Sequence, residues 1–139
     1  FGLPIYEAAY SGLPVISTGW SGQLDFLVDE EKQEHFYNVS YDILPVQENV
    51  VWDGVIMRES MWAYAREQSA KEKMRECYED IISKKEGSFA LLSHEYAQEL
   101  HERFSKEKMY KKFIDAMGID EDEFNVDAWL ADLNVQEIE

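Results

Sequence analysis

Apolar positions change their spacing along the chain, and this spacing predicts the order of helices and strands. Residues 5–10 form a short apolar stretch between Pro4, which suits the first turn of a helix, and Gly12, which suits a helix end. Residues 13–18 form a brief apolar run typical of a strand, and a second short helix is predicted over residues 21–27 after a glycine-rich turn. Helix, strand and helix joined by glycine turns are typical of a Rossmann-like α/β unit.

The second half of the chain is predicted to be mostly helical. Aromatic and β-branched residues over 35–46 favour one further strand, and residues 47–61 have no clear period and are predicted to form a loop. A helix is expected from about Arg66, and Ser88 and Ser105 suit the N-caps of two more helices. The residues that repeat every three or four positions in these three helices are predicted to form their buried faces: Ala70, Met74, Cys77, Tyr78 and Ile81; Leu91, Leu92, Tyr96, Leu100 and Phe104; Met109, Phe113, Ile114 and Met117.

The last part of the chain is distinctly acidic. A run of charges at residues 120–123 precedes a short stretch with apolar residues at helical spacing: Val126, Trp129, Leu130 and Leu133. The pattern therefore predicts a partial α/β domain over residues 1–118, followed over 119–139 by an acidic tail with a short amphipathic helix.

Composition narrows the class of protein and of partner. The 139 residues are 45% hydrophobic and 14% aromatic, which is typical of a globular chain. Thirteen Lys and Arg residues oppose 29 Asp and Glu residues, for a formal net charge of −16. A field of that sign repels nucleic acids and anionic membranes, so no nucleic-acid partner is expected. A nucleotide ligand would also be repelled, and would need local hydrogen-bond donors.

Several features bear on the cellular setting. Cys77 is the one cysteine, so no internal disulfide can form, as is usual in a reducing compartment. No apolar run is long enough to span a bilayer and no signal peptide is visible, so a cytoplasmic protein is expected. Because Phe1 is not Met and lies in a turn entering a helix, the chain is predicted to be part of a longer protein.

The first turn and helix form the strongest candidate ligand site. A glycine turn running into a helix presents unpaired backbone N–H groups and the positive end of the helix dipole, which together suit a phosphate or another anion. Glu7 lies one turn further on, where its carboxylate could accept hydrogen bonds from the two hydroxyls of a ribose. The alternative is an ordinary helix whose first-turn Glu is simply favoured by the dipole.

The segment Phe1-Gly2-Leu3-Pro4 and the residues after it resemble the donor-binding signature of retaining GT-B glycosyltransferases of family four. That signature reads Glu-Gly-Phe-Gly-Leu-Pro, then a helix with a second Glu, then Gly-x-Pro-Val-Ile, and the last part matches residues 12–16. Glu7 takes the place of the second Glu, whereas the first Glu would precede Phe1. The likeness extends over roughly residues 1–117, through weaker matches at Gly22-Gln23-Leu24-Asp25, Trp62-Ala63 and Arg103-Phe104-Ser105.

The resemblance implies the second half of a Rossmann-like GT-B donor domain, followed by C-terminal helices. It implies transfer of a sugar from a nucleoside-diphosphate-sugar donor to an acceptor, with retention of configuration, no cofactor and no obligatory metal. Glu7 would bond the donor ribose, and the backbone of Phe1, Gly2, Leu3 and Pro4 would face the diphosphate and sugar. The sugar-side Glu and an N-terminal GT-B domain would lie upstream, so no catalytic residue is expected in this chain, which alone would be inactive.

Other candidates leave alternatives open. Tyr10 and Trp20 could line a sugar subsite, although packing explains them equally well. The acidic residues near 120–123 are expected to be a solvated face rather than a metal site, and the three histidines lack ligand spacing. Two other functions remain: a non-catalytic nucleotide- or sugar-binding module, and an acidic helical interaction domain in which the glycine motif is only a turn.

Overall fold

A computed structural model describes residues 2–118, which form a mixed α/β structure. The elements are, in chain order, α1 (Leu3–Tyr10), β1 (Ile16–Thr18), α2 (Leu24–Leu27), β2 (Tyr37–Val39), β3 (Tyr41–Pro45), β4 (Met61–Ala65), α3 (Glu67–Ser83), α4 (Phe89–Arg103) and α5 (Lys106–Ala116). The chain divides into two compact units, with the boundary between His101 and Glu102.

Helix α1 begins and ends where proline and glycine predict. Gly2 is its N-cap and Pro4 lies in its first turn. At the other end, the Gly12 N–H donates to the Ala9 carbonyl and the Leu13 N–H donates to the Ala8 carbonyl, each at 3.0 Å. This pair of bonds is a Schellman motif, and it requires the left-handed φ of +78° that Gly12 adopts. The predicted helix and its glycine end are confirmed.

The first sheet contains two short parallel strands. Ile16 pairs with Tyr37, Ser17 with Asn38 and Thr18 with Val39, and the Tyr37 N–H extends the ladder by donating to the Val15 carbonyl at 2.9 Å. The strand predicted over residues 13–18 is therefore present in its second half. Parallel strands need a crossover connection, which the segment containing α2 supplies.

The single strand predicted over residues 35–46 is wrong, because this segment contributes to two sheets. Strand β2 pairs with β1, whereas β3 pairs with β4 in an antiparallel hairpin that runs from Tyr41 opposite Ala65 to Pro45 opposite Met61. The break falls at Ser40, whose N–H donates to the Ser69 hydroxyl at 2.9 Å and whose carbonyl accepts from the Arg66 N–H at 2.9 Å. The start of α3 thus takes the backbone groups that would continue the strand.

The predicted loop over residues 47–61 ends where β4 begins at Met61. It contains a short 3-10 turn, Glu48–Val50, and an isolated bridge between Trp52 and Ile56. Strand β4 is not predicted because Met-Trp-Ala-Tyr-Ala contains no charged or strongly polar residue, and so lacks the apolar–polar alternation that marks a half-buried strand.

Helix α3 turns a different face to the core from the one that its apolar residues predict. Cys77 and Asp80 are buried, whereas Met74, Tyr78 and Ile81 are exposed. Asp80 is held inside by the Tyr37 hydroxyl, which donates to its carboxylate at 2.9 Å. The predicted packing role of Cys77 is confirmed, and burial raises the pKa of its thiol.

Helix α3 ends in a second Schellman motif that lacks glycine. The Lys84 N–H donates to the Ile81 carbonyl at 3.3 Å and the Lys85 N–H donates to the Asp80 carbonyl at 3.1 Å. Lys84 occupies the left-handed position at φ +49°, where its Cβ is crowded against the backbone.

Replacing Lys84 with glycine is therefore expected to raise the free energy of unfolding by about 0.5–1 kcal/mol. Chemical denaturation followed by circular dichroism measures the change. Lys84→Ala is the matched control, because it removes the same charge but keeps the Cβ, and it should leave stability nearly unchanged. Equal stabilisation by both variants would show that φ strain is not the cause.

Helix α4 closes the core of the first unit. Ser88 precedes it, and its hydroxyl accepts from the Leu91 N–H at 3.4 Å, in agreement with the predicted N-cap. Tyr96, Ala97 and Leu100 are buried, whereas Leu91 and Leu92 are exposed. The side chains most fully buried in the described residues are Phe26, Leu27, Phe36, Tyr37 and Leu100.

Helix α5 belongs to the second unit. The Ser105 hydroxyl accepts from the Lys108 N–H at 3.4 Å, which confirms the predicted N-cap. The predicted apolar face of α5 is exposed at Met109, Phe113 and Met117. The acidic run and amphipathic stretch predicted over residues 119–139 lie outside the described residues.

Candidate functional site

The first turn of α1 presents backbone donors to its surroundings. The first N–H groups of any α-helix have no intrahelical acceptor, and in α1 Pro4 has no N–H, so Leu3 and Ile5 supply these donors. Gly2 carries no capping side chain that would occupy them. Phe1, which is predicted to share this turn, lies outside the described residues.

Glu7 lies on the second turn of α1, with an exposed side chain. With Gly2 as N-cap, Glu7 is the fifth residue of the helix, and the first turn contains no acidic residue. The interpretation of Glu7 as a first-turn carboxylate favoured by the dipole is therefore wrong, because that effect falls off within the first turn. The exposed carboxylate is accessible to hydroxyl groups of a ligand.

A second glycine turn follows β1 and is held by side chains from elsewhere in the fold. The Gly19 N–H donates to Asn38 Oδ1 at 2.9 Å, and the Gly19 carbonyl accepts from the Tyr41 hydroxyl at 3.1 Å. Gln23 Nε2 donates to the Thr18 carbonyl at 3.0 Å. Both backbone groups of Gly19 are thus fixed by residues of β2 and β3.

This second turn also contains strained backbone. Ser21 has φ +70°, a value that residues with a side chain rarely adopt, and it begins the 3-10 turn Ser21–Gln23 that leads into α2. Such a conformation persists only where the surrounding structure determines it, and it is common at ligand sites.

An aromatic contact joins the two turns. The rings of Tyr6 in α1 and Phe26 in α2 meet edge to face, with centroids 5.2 Å apart. Tyr6 lies in the middle of α1 and Phe26 lies in α2, so the contact packs the two helices that follow the glycine-rich turns against each other.

The two proposed subsite aromatics occupy different places. The Tyr10 ring lies at the end of α1, with its centroid 4.0 Å from that of His101 and its carbonyl accepting from His101 Nε2 at 2.8 Å. Trp20 lies inside the second turn, half-buried, and its N–H donates to the Thr18 carbonyl at 2.9 Å. Trp20 is thus beside the candidate site, whereas Tyr10 packs against α4.

Electrostatics limit how this region can hold an anion. Residues 1–31 contain no Lys or Arg, whereas Glu7 and Asp25 are both exposed. Any anion bound by these residues must therefore be held by backbone N–H groups and hydroxyls rather than by cationic side chains. Within residues 2–118, no group of three or more His, Cys, Asp or Glu side chains is placed to hold a metal ion.

Asn38 and Tyr41 are the residues of this site that sequence reasoning missed. Asn is depleted in strands, so its presence within the aromatic and β-branched segment was the available signal. Its partner, Gly19, could be found only from the folded arrangement, because 19 positions separate them.

A histidine and carboxylate pair, His35 and Asp29, connects to α2 through Tyr96. His35 Nε2 is 2.8 Å from Asp29 Oδ2, and the His35 ring stacks on Tyr96 with centroids 3.8 Å apart. The hydrogen bonds from His35 and from the Gln33 N–H lower the pKa of the Asp29 carboxyl. The Tyr96 hydroxyl continues the chain of contacts by donating to the Phe26 carbonyl at 3.0 Å.

Comparison of the chain with protein-family models, curated proteins and solved structures finds no match. Of the helices in the described part of the chain, none combines the length and apolar character needed to cross a membrane.

Proposed function

We propose that this chain forms the second half of the donor-binding domain of a retaining GT-B glycosyltransferase. The donor is a nucleoside-diphosphate sugar, and the sugar passes to an acceptor with its configuration retained. Three elements take part in donor binding: the first turn of α1, Glu7 and the turn at Gly19.

The observation that carries this proposal is the placement of the two glycine turns. Each lies at the start of a helix, and the Tyr6–Phe26 contact packs these two helices against each other. In open α/β folds, ligands bind beyond the carboxyl ends of parallel strands, and the turn at Gly19 follows the carboxyl end of β1. The parallel β1–β2 pair and its helical crossover therefore support a Rossmann-like half domain.

The chemistry of the residues supports separate roles for the backbone of α1, which would bind the diphosphate, and for Glu7, which would bind the ribose. Backbone N–H groups at the start of α1 offer neutral donors to a diphosphate, and a helix N-terminus strengthens each such bond through its dipole. The Glu7 carboxylate accepts hydrogen bonds and offers none, which suits two vicinal hydroxyls of a ribose. Since residues 1–31 contain no cationic side chain, the remaining diphosphate charge must be neutralised by other parts of the enzyme.

Replacing Glu7 with alanine is expected to weaken donor binding by about 1–3 kcal/mol, because two charge-assisted hydrogen bonds are lost. Isothermal titration of the full-length protein with UDP-glucose and GDP-mannose measures the effect. Both donors are used because the ribose contact is common to all nucleoside diphosphates.

Glu79→Ala is the matched control, since Glu79 is an exposed glutamate on α3 and its loss should leave donor affinity unchanged. An unchanged affinity in a folded Glu7→Ala protein would contradict the ribose role. Failure of the unaltered protein to bind either nucleotide sugar would contradict the proposed function itself.

A further inference from the structure

We propose that Asn38 is a positioning residue for donor binding, because it fixes the turn at Gly19 in the conformation that meets the donor. This inference rests on the proposed function and extends it to a strand residue that does not itself contact the ligand. Asn38 acts through its amide side chain, on the backbone of Gly19.

The Asn38 amide lies so close to Gly19 that a side chain at residue 19 would displace it. A Cβ placed on Gly19 would lie 2.6 Å from Asn38 Nδ2 and 2.8 Å from Asn38 Oδ1, well inside van der Waals contact. The absence of a side chain is what lets the Gly19 N–H reach Asn38 Oδ1 at 2.9 Å. The turn is thus positioned by contact as well as by a hydrogen bond.

The amide of Asn38 is itself oriented from its other end. Asn38 Nδ2 donates to Glu34 Oε1 at 2.7 Å, so the amide oxygen must face Gly19. Asparagine suits this place because it accepts a hydrogen bond on one side and donates one on the other.

The Tyr41 hydroxyl completes the hold on Gly19 by donating to its carbonyl at 3.1 Å. Two residues further on, Ser21 keeps its positive φ of 70°. A strained residue relaxes unless its neighbours are fixed, so the bonds to Gly19 maintain the shape of the turn through Ser21. A donor that bonds the backbone of this turn depends on that shape.

The first test is Asn38→Ala in the full-length protein. It removes the acceptor for the Gly19 N–H and the contact surface together, and the Kd for UDP-glucose or GDP-mannose is expected to rise about 5–10-fold, the equivalent of one hydrogen bond. Amide hydrogen exchange should speed up at Gly19 and its neighbours while amides within α3 and α4 keep their protection. An unchanged Kd in a protein that binds donor would overturn the positioning role.

The second test restores the hydrogen bonds without asparagine. Asn38→Asp alone places a carboxylate against that of Glu34 and should weaken donor binding. The double variant Asn38→Asp with Glu34→Gln keeps the net charge and rebuilds both hydrogen bonds, since the introduced carboxylate accepts from the Gly19 N–H and from the introduced glutamine amide. Donor affinity is expected to return to within about twofold of the original value, a difference smaller than the contribution of one hydrogen bond. Continued loss of affinity in this folded double variant would overturn the proposal.

A pair of tyrosine variants separates the turn from general stability. Tyr41→Phe removes the hydroxyl that bonds Gly19, and it should raise the donor Kd. Tyr64→Phe removes a hydroxyl that donates to the Pro45 carbonyl at 3.2 Å in the same hairpin, and it should not. Equal effects of the two variants would contradict the proposal, whereas absence of donor binding in the unaltered protein would refute both this inference and the function on which it rests.

Discussion

Replacing Phe26 with alanine is expected to lower the free energy of unfolding by about 3–5 kcal/mol. Phe26 is 0% exposed, its ring packs edge to face against Tyr6, and its carbonyl accepts from the Tyr96 hydroxyl. Truncation removes the transfer free energy of the ring and leaves a cavity at a fully buried position. Urea denaturation monitored by circular dichroism measures the loss.

Trp52→Ala is the control for Phe26→Ala. Trp52 is a larger aromatic residue in the same unit but is 67% exposed, so its truncation should change stability by less than about 0.5 kcal/mol. Similar losses in the two variants would show that the region around Phe26 does not form the packed core of the first unit.

Removing the hydroxyl oxygen from Tyr37 is expected to lower the free energy of unfolding by about 2–4 kcal/mol, because a buried carboxylate and a partly buried backbone N–H lose their partner at once. Tyr37 is 1% exposed. Its hydroxyl donates to the Asp80 carboxylate at 2.9 Å and accepts from the Ala90 N–H at 3.2 Å. In Tyr37→Phe, the carboxylate of Asp80, which is 6% exposed, loses this bond and keeps, among residues 2–118, the ion pair with Lys85 at 3.4 Å. Burial and the bond to Asp80 also raise the pKa of Tyr37, which keeps the hydroxyl protonated and able to donate.

Tyr78→Phe is the matched control, because Tyr78 lies on α3 two residues before Asp80 and is 65% exposed. The same oxygen atom is removed, but at this position it is exposed to water, so the free energy of unfolding should hardly change. If Tyr37→Phe were as mild as the control, the bond to Asp80 would not join α3 to β2 as described.

Local signals explain which elements the sequence predicted well. Proline and glycine mark the two ends of α1 through constraints on single residues. Ser88 and Ser105 mark the starts of α4 and α5 in a similarly local way, by accepting a hydrogen bond from a nearby backbone N–H. These features depend on a few neighbouring residues. They can be recognised without knowledge of the fold.

Long-range contacts explain the errors. The segment over residues 35–46 has uniform strand propensity, and only the bonds from Ser40 to Ser69 and Arg66 divide it. Helix α3 likewise buries Asp80 in place of Met74 because Tyr37, 43 positions away, offers a partner. Periodicity alone cannot reveal a buried acid, since its location depends on that partner.

The candidate site likewise contains residues that a local motif predicts and residues that only long-range contacts reveal. Its first turn and Glu7 were predicted from a contiguous motif, whereas Asn38 and Tyr41 reach Gly19 across 19 and 22 positions. Asn38 accepts a hydrogen bond from the Gly19 N–H and Tyr41 donates one to the Gly19 carbonyl. Neither partner can be identified from the residues next to Gly19 in the sequence.

The single-residue connection at Ser40, between β2 and β3, restricts where insertions and deletions are tolerated. One residue links a parallel strand to an antiparallel one, so inserting or deleting a residue there would turn every side chain of β3 to the opposite face relative to β2. The connection over residues 46–60, in the same hairpin, carries no such constraint, because lengthening a loop costs only about 0.6 kcal/mol per doubling. Natural variation in length is therefore expected in that loop and not at Ser40.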